Sequence, residues 1–176
     1  MGITLEALAE KYQFVVFDTS ILGTALSSNT RKVHYATLLT TLKKYDNIVT
    51  SYVLSEHSKK TKGLKIIRKR NLTYYQEILD YISPLVRQEE LNEKTGQPLS
   101  QADVRLATLA LSIAYQSKSA AFVSLNRKLN AFLSKVLILI PTEEHPLFPK
   151  KINQFDIYSF VQREVFFIPY TEIPYD

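Results

Sequence analysis

The chain contains no cysteine, which excludes disulfides, thiolate zinc sites, iron–sulfur clusters and a cysteine nucleophile. A reducing, cytoplasmic setting is the expectation that follows. Glycine is scarce, at four residues, and neither a Walker loop nor a dinucleotide fingerprint is present. The histidines His34, His57 and His145 are scattered without H-x-x-x-H or comparable spacing, so none is assigned to a metal. Ser/His/Asp catalysis has no local signature either. No stretch approaches the roughly 20 apolar residues that span a bilayer. The opening Met1–Glu6 lacks the basic flank and apolar core of a signal peptide, and Glu6 stands where a myristoylation motif has Ser or Thr. No membrane partner is expected.

What is present describes a folding domain. The 176 residues are 45% hydrophobic and 22% charged, ordinary values for a globular protein and enough chain for one real core. Net charge is +5, but it is unevenly placed. Lys59, Lys60, Lys62, Lys65, Arg68, Lys69 and Arg70 form a run of seven cations with no anion among them. Subtracting these seven from +5 leaves −2 for the rest of the chain, so the basicity is one local patch, as on a polyanion-binding face. A solvated helix face is the plain alternative. Tyr74 and Tyr75 follow the run, where they could stack bases or join the core.

Periodicity gives a coarse layout. A helix is expected over 4–13 with Thr4 as its cap, then a buried strand at Phe14–Phe17 and a helix from Tyr35 to Tyr45. A second strand covers Ile48–Thr50, and a helix opens at Ser51 and runs through Glu56 towards the basic run. Leu72–Tyr81 reads as a helix, Ile82–Val86 as an edge strand because of Pro84, and 87–98 as a loop. Ser100 opens the clearest helix, with Leu106, Leu109, Ala110, Ile113 and Ala114 at helical spacing. Ala120–Leu125 reads as a strand, Lys128–Leu133 as a short helix and Val136–Ile140 as a strand. This alternation implies an α/β layered sheet. From Pro141 onward the composition shifts to proline and aromatic residues. Residues 1–142 are therefore read as an α/β domain, and 143–176 as an extension packed on that domain or on a second subunit, with an extra strand near Val165–Ile168.

In an open α/β sheet the ligand crevice lies beyond the carboxyl ends of the strands. Asp18 ends the first strand, though an Asp at that turn also satisfies backbone N–H groups. Glu56 falls in the helix after the second strand, where a solvated helix Glu is the alternative. Asp103 stands three residues after Ser100 and completes an S-x-x-D capping box, yet it shares its helix row with Leu106, Ala107 and Ala110. Three acids so distributed suit a hard divalent cation, Mg²⁺ or Mn²⁺, which takes carboxylate oxygens and keeps waters for a phosphate substrate.

Val15–Leu22 (VVFDTSIL) resembles the opening motif of PIN domains, a hydrophobic strand followed by D-T-S/N-x-L. Thr50–Glu56 (TSYVLSE) is similar to that family's second acidic motif, and Leu99–Ala110 (LSQADVRLATLA) to its third. Val123–Leu129 (VSLNRKL) resembles the closing V-T-x-D-x-D-F/L segment. The four occur in order between about residues 13 and 142. The resemblance implies a three-layer α/β/α sandwich around a mainly parallel sheet, acting as a Mg²⁺- or Mn²⁺-dependent ribonuclease. It puts Asp18, Glu56 and Asp103 on acidic positions, Ser20 on the polar residue of the first motif and Ser124 on the Thr/Ser of the last. Asn126 replaces the fourth acid, and Lys128 stands where a further acid often lies. Three carboxylates supply −3 against the +4 of two divalent ions, so one well-held metal is expected.

RNA is then the expected substrate, cut in RNA processing or by a toxin held by an antitoxin. A homodimer and a ribonucleoprotein partner stay open. The competing reading is a PIN-like domain whose chemistry has decayed into RNA binding or assembly, with Asn126 and Lys128 as its evidence. A receiver-like signalling domain is disfavoured, because a receiver has paired acids after its first strand and Thr19-Ser20 follow a single Asp18 here.

Overall fold

Phe14-Val15-Val16-Phe17 is apolar without interruption, the pattern of a strand covered on both faces, and it forms β1 (Phe14–Phe17) at the centre of the sheet. The computed structural model describes residues 2–25, 29–51, 65–67, 72–92, 99–139, 152–161 and 165–172. Before β1 comes α1 (Leu5–Lys11), started by Thr4, whose hydroxyl accepts the Ala7 N–H at 3.1 Å. After it come α2 (Ser20–Ala25), α3 (Asn29–Lys44), β2 (Ile48–Ser51) and β3 (Lys65–Ile67). Further along are α4 (Tyr75–Asn92), α5 (Gln101–Gln116), β4 (Ala120–Ser124), α6 (Arg127–Leu139), β5 (Phe155–Val161), β6 (Phe166–Pro169) and a 3₁₀ turn at Tyr170–Glu172.

The six strands lie in the order β3-β2-β1-β4-β5-β6. All neighbours pair in parallel except β6, which runs antiparallel to β5. Alternate side chains leave the sheet on opposite sides, and each side has its own core. Val16, Val49, Ala120 and Phe122 pack against α4, α5 and α6. Val15, Phe17, Ile48, Ala121 and Val123 pack against α1, α2 and α3. The protein is thus an α/β fold with a mostly parallel sheet and helices on both faces, an arrangement compatible with three layers. Among the described residues no helix is long and apolar enough to cross a membrane.

Two expected strands are helix. Ile82–Val86 lies inside α4, which continues to Asn92 and so takes in the first part of the segment expected as a loop. Ile78, Ile82 and Val86 recur every four residues and are all buried, while Pro84 sits on the exposed side of the helix. Burying that stripe outweighs the N–H that Pro84 cannot give to the Asp80 carbonyl. Replacing Pro84 by Ala is expected to raise Tm by about 2–8 °C, from a gain of about 1–2 kcal/mol once proline's effect on the unfolded chain is discounted. A thermal melt showing no gain would overturn this account of α4. The second expected strand, Val136–Ile140, and the short helix before it are one helix, α6, at least to Leu139. Leu129, Phe132, Leu133 and Val136 are all buried at i, i+3, i+4, i+7 spacing.

Within 143–176, two segments join the sheet. Phe155–Val161 pairs along β4 as β5, and Phe166–Pro169 folds back on it as β6. Tyr158, Phe160 and Phe167 are buried in the same core as α1. Ile3 exchanges two backbone hydrogen bonds with Phe167, at 2.7 and 2.8 Å, so the residues before α1 line the outer edge of β6.

Candidate functional site

Strand order sets the place. The chain adds β2 and β3 on one side of β1 and β4, β5 and β6 on the other. Connections therefore diverge at the carboxyl ends of β1 and β4, which is where an open parallel sheet leaves its crevice.

Asp18 is the first residue beyond β1, and its N–H still donates to the Val123 carbonyl of β4 at 3.0 Å. Its carbonyl then accepts the Ile21 N–H at 3.2 Å as the chain turns into α2. Asp18 is only 8% exposed and both its carboxylate oxygens are engaged. Oδ1 accepts the Ser20 N–H at 3.0 Å, and Oδ2 accepts the Ser124 hydroxyl at 2.6 Å. Ser124, the last residue of β4, is fully buried, and its Oγ also accepts the Asn126 N–H at 2.9 Å. With that amide donating to it, the hydroxyl's one proton is left for Asp18, so Asp18 is held as an acceptor.

Asn126 has a different occupation from a fourth acid. Its Oδ1 accepts the Leu129 N–H at 3.1 Å, and its carbonyl accepts the Asn130 N–H. It is the cap that starts α6. Arg127 and Lys128 are the first two residues of that helix, whose first turn holds no acid. The cations therefore stand at the positive end of the helix dipole, at the crevice edge of the sheet.

Asp103 belongs to α5. It forms the reciprocal capping box with Ser100, with its N–H on the Ser100 hydroxyl at 3.1 Å and its Oδ2 on the Ser100 N–H at 3.2 Å. Since α5 feeds β4, it runs antiparallel to the strand while packing across β1, β2 and β4. A 16-residue helix is about 24 Å long against about 17 Å for the five residues of β4. Its N-terminus, with Asp103, thus lies at the same edge of the sheet as Asp18. Among the described residues, no three acidic, histidine or cysteine side chains converge as a metal-binding group. Glu56 lies outside the described residues, as do Lys59, Lys60, Lys62, Arg68, Lys69 and Arg70. Lys65 opens the edge strand β3.

The donor chemistry fits a hard divalent cation. Each Asp18 oxygen takes one hydrogen bond and retains a second lone pair, and carboxylates with waters are what Mg²⁺ and Mn²⁺ accept. Compared with protein-family models, with curated proteins and with solved structures, the chain matches none.

Sequence reasoning missed two polar residues here. Asn130, in α6, and Ser159, in β5, are buried and hydrogen-bonded to one another at 2.9 Å. A signal existed for Asn130: it interrupts the apolar stripe of α6 between Leu129 and Leu133.

Proposed function

We propose that the chain is a Mg²⁺- or Mn²⁺-dependent endoribonuclease of the PIN type, hydrolysing RNA phosphodiester bonds at the carboxyl edge of β1 and β4. The observation that carries this reading is the buried Asp18 carboxylate, held by the Ser124 hydroxyl and the Ser20 amide where the strand order reverses. The four motifs in order along the sequence are its second support.

In this reading Asp18, Asp103 and Glu56 hold the cation, which supplies Lewis acidity to the phosphodiester and to the attacking water. Ser124 and Ser20 keep the Asp18 carboxylate pointing into the crevice. Lys128 stands at the N-terminus of α6 to meet a phosphate. The basic run from Lys59 to Arg70 carries the RNA backbone. Cleavage of an unstructured RNA by the wild type and by Asp18→Asn tests the whole assignment.

The basic run makes a separate expectation. Seven phosphate contacts to a single strand would give a log–log salt slope of up to about −5, at roughly −0.7 each. Neutralising Lys65, Arg68, Lys69 and Arg70 to Gln should flatten the slope by up to about 3. Fluorescence anisotropy with labelled RNA at several salt concentrations measures this, and an unchanged slope would move the RNA surface elsewhere.

One observation favours a second reading, in which the domain binds RNA without cutting it. The Asn126 side-chain oxygen Oδ1 is committed to the Leu129 N–H, which leaves the position of the fourth acid serving the helix.

A further inference from the structure

We propose that Asn130 is a positioning residue for Asp18: its side-chain amide ties the carboxyl ends of β4 and β5 together and so fixes the Ser124 hydroxyl on the carboxylate. The inference rests on the reading of Asp18 as a cation ligand.

Asn130 is 0% exposed. Its Nδ2 donates to the Ser159 hydroxyl at 2.9 Å and reaches the Ser124 carbonyl at 3.5 Å. One amide serves both because Ser124 and Ser159 are register partners on adjacent strands. The backbone N–H of Asn130 holds the Asn126 carbonyl at 3.0 Å. Asn130 therefore grips both ends of the Ser124–Asn126 turn. Ser124 Oγ lies inside that turn, between the Asn126 N–H and Asp18 Oδ2, so a shift of the turn would draw the hydroxyl off the carboxylate.

The arrangement is made at a disadvantage. With Nδ2 facing two acceptors, Asn130 Oδ1 is left buried with no hydrogen-bond partner among the described residues. Flipping the amide would let that oxygen accept the Ser159 hydroxyl proton, but would also set it against the Ser124 carbonyl, two acceptors face to face. An apolar side chain at this position on the buried face of α6 would remove this orphan acceptor, and such a group is destabilising when sealed from water. A residue placed only for stability would not be an asparagine here. Buried polar groups that break the local rule are found where a site is being oriented, and outer partners of metal ligands serve that purpose.

The test is Mn²⁺ binding by calorimetry on the full chain, together with Tm without metal, for wild type, Asn130→Ala, Ser159→Ala and Asp18→Asn. Asn130→Ala and Ser159→Ala are each expected to weaken Mn²⁺ binding roughly tenfold. The metal-free Tm of Asn130→Ala should be unchanged or higher, because the orphan oxygen goes and alanine favours the helix. Unaltered Mn²⁺ affinity in both variants would overturn the positioning role and leave the Asp18 site standing. A loss of affinity that follows a parallel fall in Tm in both would also overturn it, by making the pair a support of the fold. Wild-type Mn²⁺ binding that is absent, or indifferent to Asp18→Asn, would remove the cation site and with it anything for Asn130 to position.

Discussion

Asp18→Asn is expected to abolish Mn²⁺-dependent cleavage of an unstructured RNA, by more than the roughly 100-fold that losing an outer partner of a metal site can produce. The substitution keeps the shape of the side chain and removes its charge. It also breaks the hydrogen-bond logic of the site. Asp18 now accepts from two donors, the Ser20 N–H and the Ser124 hydroxyl. An amide has one oxygen, so whichever way it turns its NH₂ meets one of those donors. Ser124 cannot adapt easily, because its oxygen already takes the Asn126 N–H.

Two measurements separate the charge from the fold. Millimolar Mn²⁺ should raise the Tm of the wild type, by about 2.7 kcal/mol of added stability at 100 times the Kd, and should leave Asp18→Asn where it was. Cleavage by the wild type that survives Asp18→Asn would sink the proposed active site. A wild type that binds Mn²⁺ through Asp18 and cuts no RNA would favour the binding module over the nuclease.

Phe167→Ala should be among the most damaging single changes to stability, at about 3–5 kcal/mol. For a chain of this length that is a fall in Tm of about 6–20 °C. Phe167 is 0% exposed although it lies on β6 near the sheet's edge. Its ring is 5.2 Å from that of Phe160, and both pack with Leu5, Leu8 and Tyr12 from the start of the chain. The cavity would therefore open between the first helix and the last strands. Comparing chemical melts of wild type, Phe167→Ala and the half-buried Ile168→Ala measures the effect. A loss for Phe167→Ala no larger than that for Ile168→Ala would mean β6 contributes little to that core.

The elements legible in the sequence were those whose reasons are local. Phe14–Phe17 is apolar throughout, Thr4 and Ser100 cap the helices they precede, and each is found where expected. The misread elements depend on distant partners. Pro84 argues for a strand edge until the stripe Ile78, Ile82, Val86 has a core to enter. β5 was hidden by its polar residues, because Asp156 looks out of place in a buried strand. In fact Asp156 accepts the Tyr12 hydroxyl at 2.5 Å and the Gln154 amide at 3.1 Å, and Ser159 accepts from Asn130. The same division runs through the site. Asp18 is legible as the residue that ends a strand and Ser124 through the closing motif, but the bond between them depends on β1 lying beside β4. Asp103 fulfils its capping role in full, a role that leaves its second oxygen outside the capping box.

The place of β1 in the sheet also governs how the chain must be made. β1 takes β2 as one neighbour early, but its other neighbour ends with Ser124, which is 106 residues beyond Asp18. At 5–20 residues per second that is a wait of about 5–20 s with one edge of an apolar strand unpaired. Phe14–Phe17 is the kind of segment that then recruits other nascent chains. The helix in front of it ends in Glu10 and Lys11, and Asp18 follows it directly. Charges that flank an exposed apolar strand oppose its stacking on copies of itself. Asp18 is thus placed to flank β1 with a charge during synthesis, before the folded sheet gives it a place at the crevice.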